Sequence, residues 1–436
     1  MTPAEFAELH ASGDYTVYAL GSQPGSRLSG RAGPAPCRAA PRRDPSPRRG
    51  RPRHHRRRAD GGAVAHDALG LAHDRADRGG LLRSHRRPPG AACARRPGEI
   101  QLVGGAGVIE IVSAGVMASV RDLGRPGWRN LGVGSSGAMD AFALRIGNMM
   151  VGNPQGLAGV EFTLGGFRLH FRRDTVFALT GADAGAALDG VPVPAWWVRH
   201  ARAGQVLSAQ MAGRGMRSYL AVAGGIGVAP VMGSRATDVK GGFGGHEGRA
   251  LQAGDLLPLA EAEEPPRIGP CGFGLDAGRL DLLPAPEAEI RFIPAKEWDI
   301  HGPVLQERFT SSAWVLQPDS NRMGYRLSGP DMRRDAPLEL LSHGILPGTI
   351  QLPPGGQPVI QLNDANTCGG YPKLGVVIEP DLSALAQVRL GARICFRAVG
   401  RDEALAVRTG RETFIARLAA RIALARDYSM RSGWNG

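Results

Sequence analysis

Between Val108 and about residue 260, apolar residues come in short runs separated by glycine and other turn formers. The runs "TVFALTGA" (175–182), "RSYLAVAGG" (217–225) and "DLLPL" (255–259) are rich in β-branched and apolar residues, which predicts strands. One stretch breaks this rhythm. In "MDAFALRIGNMMVGN", Phe142, Ile146 and Met149 repeat at helical spacing, Asp140 suits a first turn, and Gly152-Asn153-Pro154 end the run. A helix is expected there, starting near Met139. A Pro-rich linker, "EAEEPPRIGPCGFG", precedes a second strand-rich block. That block runs from "EIRFIPA" through "AWVLQP", "MGYRLSG", "GTIQLPP" and "PVIQLND" to "ARICFRAV". The tail, "DEALAVRTGRETFIARLAARIALARDY", has helical periodicity and is expected to pack on the outside. Strands dominate and no βαβ alternation occurs. The expected class is mostly β with α (α+β), built from β-barrel-like units rather than a doubly wound sheet.

Residues 1–21 also have an ordinary pattern, a short helix followed by a strand in "YTVYAL". The window from Ser22 to Gly98 does not. It holds 19 Arg, no Lys and 5 Asp, a local balance of +14. It has no Ile, Phe, Tyr, Trp or Met, and a single Val. Such a segment buries too little apolar surface to offset its conformational entropy, and disorder is the expectation. The remaining residues carry 34 basic and 35 acidic side chains, so the net +13 of the chain is a property of this window alone. A nucleic-acid arm would want aromatic residues for stacking, and the window has none. The cysteines Cys37, Cys93, Cys271, Cys368 and Cys395 are scattered without a CxxC pair, which points to a reducing compartment. With no signal-peptide pattern at the start and no apolar run near the roughly 18 residues a span requires, the expectation is a cytoplasmic protein without membrane contact.

Four stretches carry candidate chemistry. "SGAMD" opens the expected helix. Ser136 reads as its cap and Asp140 as a complement to its dipole, while the N–H groups around Ser136 and Gly137 could hold an anion. "GGFGGHEGR" (241–249) is a tight glycine loop or, at Gly244 and Gly245, a nest of N–H donors. It is no Walker A, and no GxxxxGK[ST] occurs in the chain. "TCGGYPK" (367–373) places Thr367, Gly369, Gly370, Tyr371 and Lys373 on one loop, and Lys373 is one of only three lysines. Lys373 could stabilise a developing oxyanion and Tyr371 could orient or protonate. "GSRATD" (233–238) offers Arg235 as a carboxylate clamp, with Asp238 as its partner in a clamp or in a structural salt bridge. The histidines outside the basic window (His10, His170, His200, His246, His301, His343) show no metal-ligand spacing, so no metal site is expected.

From Val108 onward the chain resembles the KipA-like family, known variously as biotin-dependent carboxyltransferase, allophanate hydrolase subunit 2 or the C component of 5-oxoprolinase. The resemblance is carried by "SVRDLGRPGWRNLGV", "SGAMDAFALRIGNMMVGN", "LTGADAGAALDG", "YLAVAGGI", "GSRATD", "GGFGGHEGRALQAGD", "NRMGYRLSG", "LPGTIQLPPGGQPVIQL" and "TCGGYPKLGVV", in the family's order. The family usually has Gln-Thr-Thr where Asn366, Thr367 and Cys368 stand here. The resemblance implies two cyclophilin-like β-barrel domains. These are placed at 108–265 and 288–400, with a linker at 266–287 and a C-terminal helix at 401–436.

It further implies part of an enzyme, the C component of an ATP-dependent 5-oxoprolinase that opens 5-oxo-L-proline to L-glutamate. Its partners would be a KipI-like B component and a LamB/YcsF-like A component, with ATP used by the complex and not through a P-loop in this chain. Two alternatives stay open. One is the carboxyltransferase part of a biotin-dependent urea or amide carboxylase, with biotin on a separate carrier. The other is a non-catalytic KipA-like antagonist of a kinase inhibitor. In either enzymatic case the substrate is a small amide or lactam. Lys373, Tyr371 and Asp140 are the expected catalytic residues. Ser136, Gly137, Arg235, Asp238, Gly244, Gly245, Thr367, Gly369 and Gly370 are expected to bind substrate, in one cleft.

Residues 1–21 resemble the start of the KipI-like B component, and "RRPGEIQLV" at 95–103 resembles its end. The window between them, from about 22 to about 94, is read here as out of frame. With GC-rich codons, "LGLAHDRADR" (69–78) shifted by one base can spell Trp-Ala-Trp-His-Met-Ile-Gly-Arg-Thr, close to a motif of the KipI-like family. Resequencing the gene is expected to restore a KipI-like frame across 22–94. An intact frame, together with peptides from 41–90 in the purified protein, would overturn this reading.

Overall fold

The computed structural model describes residues 108–260, 268–269, 271–282, 285, 287–334, 338 and 340–432. The KipI-like remnant, the basic window and the frame reading lie outside the described residues.

The first half forms two six-stranded sheets: burial alternates along strands of the first, while the central strands of the second are buried on both faces. One has the order Leu256–Pro258, Val108–Ala114, Phe167–Phe171, Val206–Ser208, Ala186–Leu188, Val191–Val193. The other runs Phe273–Gly274, Trp197–Ala201, Thr175–Asp183, Arg214–Val222, Gly159–Thr163, Met117–Arg121. Their inner faces share one core. Phe162 stacks on Phe167 with ring centroids 3.9 Å apart, and Phe171 on Phe177 at 5.2 Å. This half is therefore a pair of packed sheets and not a closed barrel. Phe273–Gly274 pairs with Trp197–Val198. Part of the expected linker is thus an edge strand.

The expected helix is present as α1, Ala141–Met150. Asp140 is its N-cap, accepting from the Ala143 N–H at 2.9 Å. Ser136 lies before the helix, with φ +50°, and does not cap it. Phe142, Leu144, Ile146 and Met150 bury the inner face of α1 against the second sheet.

The second half is a closed seven-stranded barrel, in the order Ala288–Pro294, Lys373–Val377, Thr349–Gln351, Val359–Gln361, Gly324–Ser328, Ala313–Leu316, Arg393–Ala398. The first and last of these strands close it by pairing in parallel. Helix α2 (Gly302–Ser311) brings Phe309 into a barrel core with Phe292, Trp314 and Phe396. A two-stranded ribbon, His343–Gly344 with Cys368–Gly369, forms a separate small sheet. Helix α3 (Glu379–Gln387) follows the Lys373 strand. The tail is one helix, α4, Arg401–Ser432. It packs on α1 through Phe414 against Phe142 and the Arg145–Glu412 ion pair at 2.7 Å. Among the described residues no helix is long and apolar enough to cross a membrane.

The two halves meet across buried charge. Glu161, 2% exposed, receives Arg322 Nη1 on Oε1 and the Tyr219 hydroxyl on Oε2 at 2.7 Å, with Arg217 Nε 3.6 Å away. Arg322 also grips Asp364 at 2.9 and 3.1 Å. From the other direction Arg217 donates to the Tyr325 hydroxyl (2.5 Å) and the Ala386 carbonyl (2.6 Å). Gln387 completes the seam. Its Oε1 accepts from the Met216 and Arg217 N–H groups at 3.0 Å, and its Nε2 donates to Asp140 at 2.7 Å.

Burial alone would raise the Glu161 pKa, but Arg322, Arg217 and Arg121 outweigh it and hold the carboxyl at about 2, below the ordinary 4.5. A carboxyl depressed on folding adds stability that is fully present above its unfolded pKa and is lost as pH falls through its folded one. The resistance of the wild type to urea should therefore fall as pH drops from about 4.5 to about 2. Glu161→Gln should cost about 3–5 kcal/mol at neutral pH, because it strands buried arginines. It should also flatten that acid limb. An unchanged midpoint and pH profile would refute the assignment.

Candidate active site

Two loop systems from opposite halves converge beside α1. From the first half, the turn preceding α1 and the loop at 234–249 are locked together. Ser136, fully buried, donates its hydroxyl to Asp238 Oδ2 at 3.1 Å, and its carbonyl receives Arg121 Nη1 at 2.7 Å. Gly137 leaves no room for a side chain, since an added Cβ would lie 2.7 Å from the Leu123 carbonyl oxygen. From the second half, the Asn363 carbonyl accepts the Ser136 N–H at 3.1 Å, and its side-chain amide donates to the Ala138 carbonyl at 2.8 Å. Lys240 reaches across to the Asn366 side chain, and Arg129 Nη2 donates to the Ile345 carbonyl. The Ile345 N–H in turn donates to the Thr367 carbonyl at 3.0 Å. Ser136, Gly137, Asp238 and Thr367 thus belong to one contiguous assembly.

Lys373 sits at the other end of the same ribbon. It is 5% exposed, and Nζ donates to the carbonyls of Gly369 (3.3 Å) and Tyr371 (3.2 Å). Glu297 Oε1 is 3.8 Å from this ammonium and 3.0 Å from His343 Nε2, while His343 Nδ1 is 3.4 Å from Nζ. Burial lowers the Lys373 pKa, and Glu297 opposes the shift. The result is a desolvated ammonium beside a carboxylate–imidazole pair, a set able to stabilise an oxyanion and exchange a proton. Gly369 and Gly370 let the ribbon lie close. An added Cβ would stand 2.6 Å from Gln351 Nε2 at the first and 2.8 Å from the Leu340 carbonyl oxygen at the second.

A family model described as the carboxyltransferase domain, subdomain A and B, matches residues 131–398. The chain belongs to this carboxyltransferase family. It is 43% identical over 316 residues to the C component of 5-oxoprolinase from Escherichia coli (strain K12), covering 72% of this chain and 99% of that protein. The same component of the Haemophilus influenzae enzyme is 41% identical over 71% of this chain and 96% of its own length. Among solved structures, the Kluyveromyces lactis urea carboxylase superposes with a TM-score of 0.66 at 29% identity, over 72% of this chain and 29% of that one.

Several residues singled out in the sequence have other work in the structure. Arg235 does not pair with Asp238. Its Nε donates to the Val228 carbonyl at 2.9 Å, and its backbone N–H donates to Asp122 at 2.6 Å. Asp238 instead holds Ser136, the Gly241 N–H at 2.8 Å, and Arg125 at 4.0 Å. Asp140, 4% exposed, divides its carboxylate between the α1 cap and Gln387, and its burial raises its pKa.

The glycine loop is tight for steric reasons. A Cβ on Gly244 would lie 2.4 Å from the Ala236 carbonyl oxygen, and one on Gly245 only 2.0 Å from Thr237 Oγ1. The Gly241 and Gly242 N–H groups are both consumed by Asp238 at 2.8 Å. Gly241 and Gly242 therefore offer no N–H to an anion, and no step through ATP is placed on this chain.

Glu297 and His343 were not singled out, because nothing in their spacing links them to Lys373. The buried Arg121, Arg125 and Arg322 carried a usable signal, namely a charged residue inside an otherwise apolar strand or glycine turn. Among the described residues no group of three or more His, Cys, Asp and Glu side chains converges as metal ligands would.

Gly245→Ala should be severely disruptive, since φ is +56° and the added methyl has no space. The expected readout is a lower thermal midpoint and loss of complex activity. An unaffected variant would show that the loop is free to move away from Thr237.

Proposed function

We propose that this chain is the C component of an ATP-dependent 5-oxoprolinase, acting in the cytoplasm with a KipI-like B component and a LamB/YcsF-like A component. The observation that carries the reading is the 43% identity extending over 99% of the E. coli protein. Opening a lactam adds water to the ring carbonyl and breaks its C–N bond, which requires a donor for the carbonyl oxygen as charge develops and a proton for the departing ring nitrogen. Lys373 Nζ supplies the first, held between the Gly369 and Tyr371 carbonyls. The His343–Glu297 pair supplies the second. Tyr371 contributes its carbonyl to placing Lys373. Thr367, Gly369 and Gly370 shape the ribbon that covers the site. The Ser136–Asp238 bond fixes the opposing wall.

The urea carboxylase likeness supports a second reading, carboxyl transfer from a separate biotin carrier to an amide nitrogen. The same groups would serve, because negative charge develops on oxygen in both reactions.

The purified chain should be reconstituted with its KipI-like and LamB/YcsF-like partners and assayed for 5-oxo-L-proline-dependent ATP hydrolysis and glutamate release. A matched assay supplies carboxybiotin and urea. Glutamate release without carboxylation is the expected result, and the reverse would replace the first reading with the second. Lys373→Ala should lower turnover by about 100-fold or more, the range for a lost oxyanion donor, while assembly is retained. Full activity in that variant would remove Lys373 from the mechanism.

A further inference from the structure

The ribbon is gripped by a cation that has no counter-ion among the described residues. Arg129 lies on the short 3-10 turn Arg129–Leu131 and points into the junction of the two halves. Its Nη2 donates to the Ile345 carbonyl, while its Nη1 is buried without a hydrogen-bond partner. No carboxylate among the described residues pairs with it, and burial alone shifts its pKa, downward. Its neighbours in the seam differ. Arg121 and Arg322 share Asp364, Arg322 and Arg217 face Glu161, and Arg125 lies near Asp238. A second cation, Lys240, reaches the same ribbon and contacts only the neutral Asn366 side chain there. The nearby acids are engaged elsewhere: Asp364 by Arg322, Asp238 by Ser136, and Glu297 by His343 and Lys373. Arg129 as a whole is half-buried, but its enclosed Nη1 is costly unless an acceptor completes it.

We propose that Arg129, assisted by Lys240, anchors the carboxylate of the substrate, with the reacting carbonyl lying toward Lys373. This deepens the reading of the chain as a 5-oxoprolinase component and rests on it. Ile345 and His343 are two residues apart along the ribbon, roughly 7 Å at the usual strand rise. Arg129 at one and Lys373 at the other thus mark the two ends of the proposed site. A guanidinium recognises a carboxylate through paired N–H donors, which a neutral amide cannot exploit. The anchor thus selects a lactam that bears a carboxylate over one that lacks it. Arg235, the clamp expected from sequence, is spent on Val228 and leaves this role open.

The test uses the assembled complex and two ligands, 5-oxo-L-proline and 2-pyrrolidinone, which is the same ring without the carboxylate. Equilibrium binding without ATP and steady-state turnover are both measured. Arg129→Met should weaken 5-oxo-L-proline binding and raise its KM by about 10- to 100-fold, the range for a lost charge-assisted hydrogen bond, with kcat little changed. Binding of 2-pyrrolidinone should be weak in the wild type and equal in the variant. Arg129→Lys, which keeps the charge and guards against misfolding, should recover part of the affinity. Unchanged 5-oxo-L-proline affinity in Arg129→Met would overturn the inference. So would an equal loss for both ligands, which would mark Arg129 as merely structural. A wild-type complex that binds 5-oxo-L-proline through Arg129 but does not open it would instead defeat the functional reading and leave the anchor standing.

Discussion

The structure depends on charge buried between its two halves. Glu161, on the strand Gly159–Thr163 of the first half, and Asp364, on a loop of the second, are both held by Arg322, and both are buried. Burying an ion is expensive, and the cost is met only when geometry and further hydrogen bonds are nearly complete. Here they are. Glu161 accepts from Arg322, Tyr219 and the Met139 N–H, and Arg322 Nη2 also donates to the Gly137 carbonyl at 2.7 Å. A greasy seam would hold the halves together without fixing their register. A network with directional bonds fixes both, and it does so immediately behind the turn that carries Ser136.

That placement explains the division of labour among the polar residues. Glu161, Arg322 and Asp364 have full sets of partners, Arg217 lacks only a hydrogen bond at Nε, and Asp140 and Gln387 tie α1 to α3. Arg121 is caught between the two demands. Burial and the nearby Arg322 pull its pKa down to about 10, against Asp364 and Glu161, and its Nη2 stays without a hydrogen bond. Other charged groups stand along the ribbon formed by His343–Gly344 and Cys368–Gly369. There stand Arg129 without an acid, Lys373 with a carboxylate only at 3.8 Å, and His343 still half exposed. Groups left underserved by the fold are those free to serve a ligand.

The sequence conveyed the fold more completely than the site. Apolar runs located the strands at Thr175–Asp183, Arg214–Val222 and Ala288–Pro294, and helical spacing located α1 and α4, because those signals are local. The start of α1 was misplaced. Ser136 and Asp140 are both good caps by type, and only the positive φ forced on Ser136 by its bonds to Asn363 and Asp238 decides between them. The short strands at Val206–Ser208 and Phe273–Gly274 were invisible, since two or three residues carry no period and owe their state to a partner strand. Two halves were legible from their strand runs. That one closes as a barrel and the other packs as two sheets depends on the parallel pairing of the Ala288 and Arg393 strands, more than a hundred residues apart.

Lys373 was legible as a rare lysine in a glycine-rich loop, but its partners were not. Glu297 lies far upstream on the turn before α2, and His343 on the opposite edge of the ribbon, so their meeting is a product of barrel closure. The pairing of Arg235 with Asp238 failed for the converse reason. Proximity in sequence suggested a contact, but the turn at 233–238 sends the two side chains apart, one to Val228 and the other to Ser136. Sequence neighbours in a tight turn compete for different backbone groups, whereas distant residues on a closed surface are forced together. A site assembled at the junction of two packed units will therefore be under-read from local motifs. Its recognisable trace is the one seen here, a set of charged residues placed where the surrounding apolar and glycine pattern offers no reason for charge.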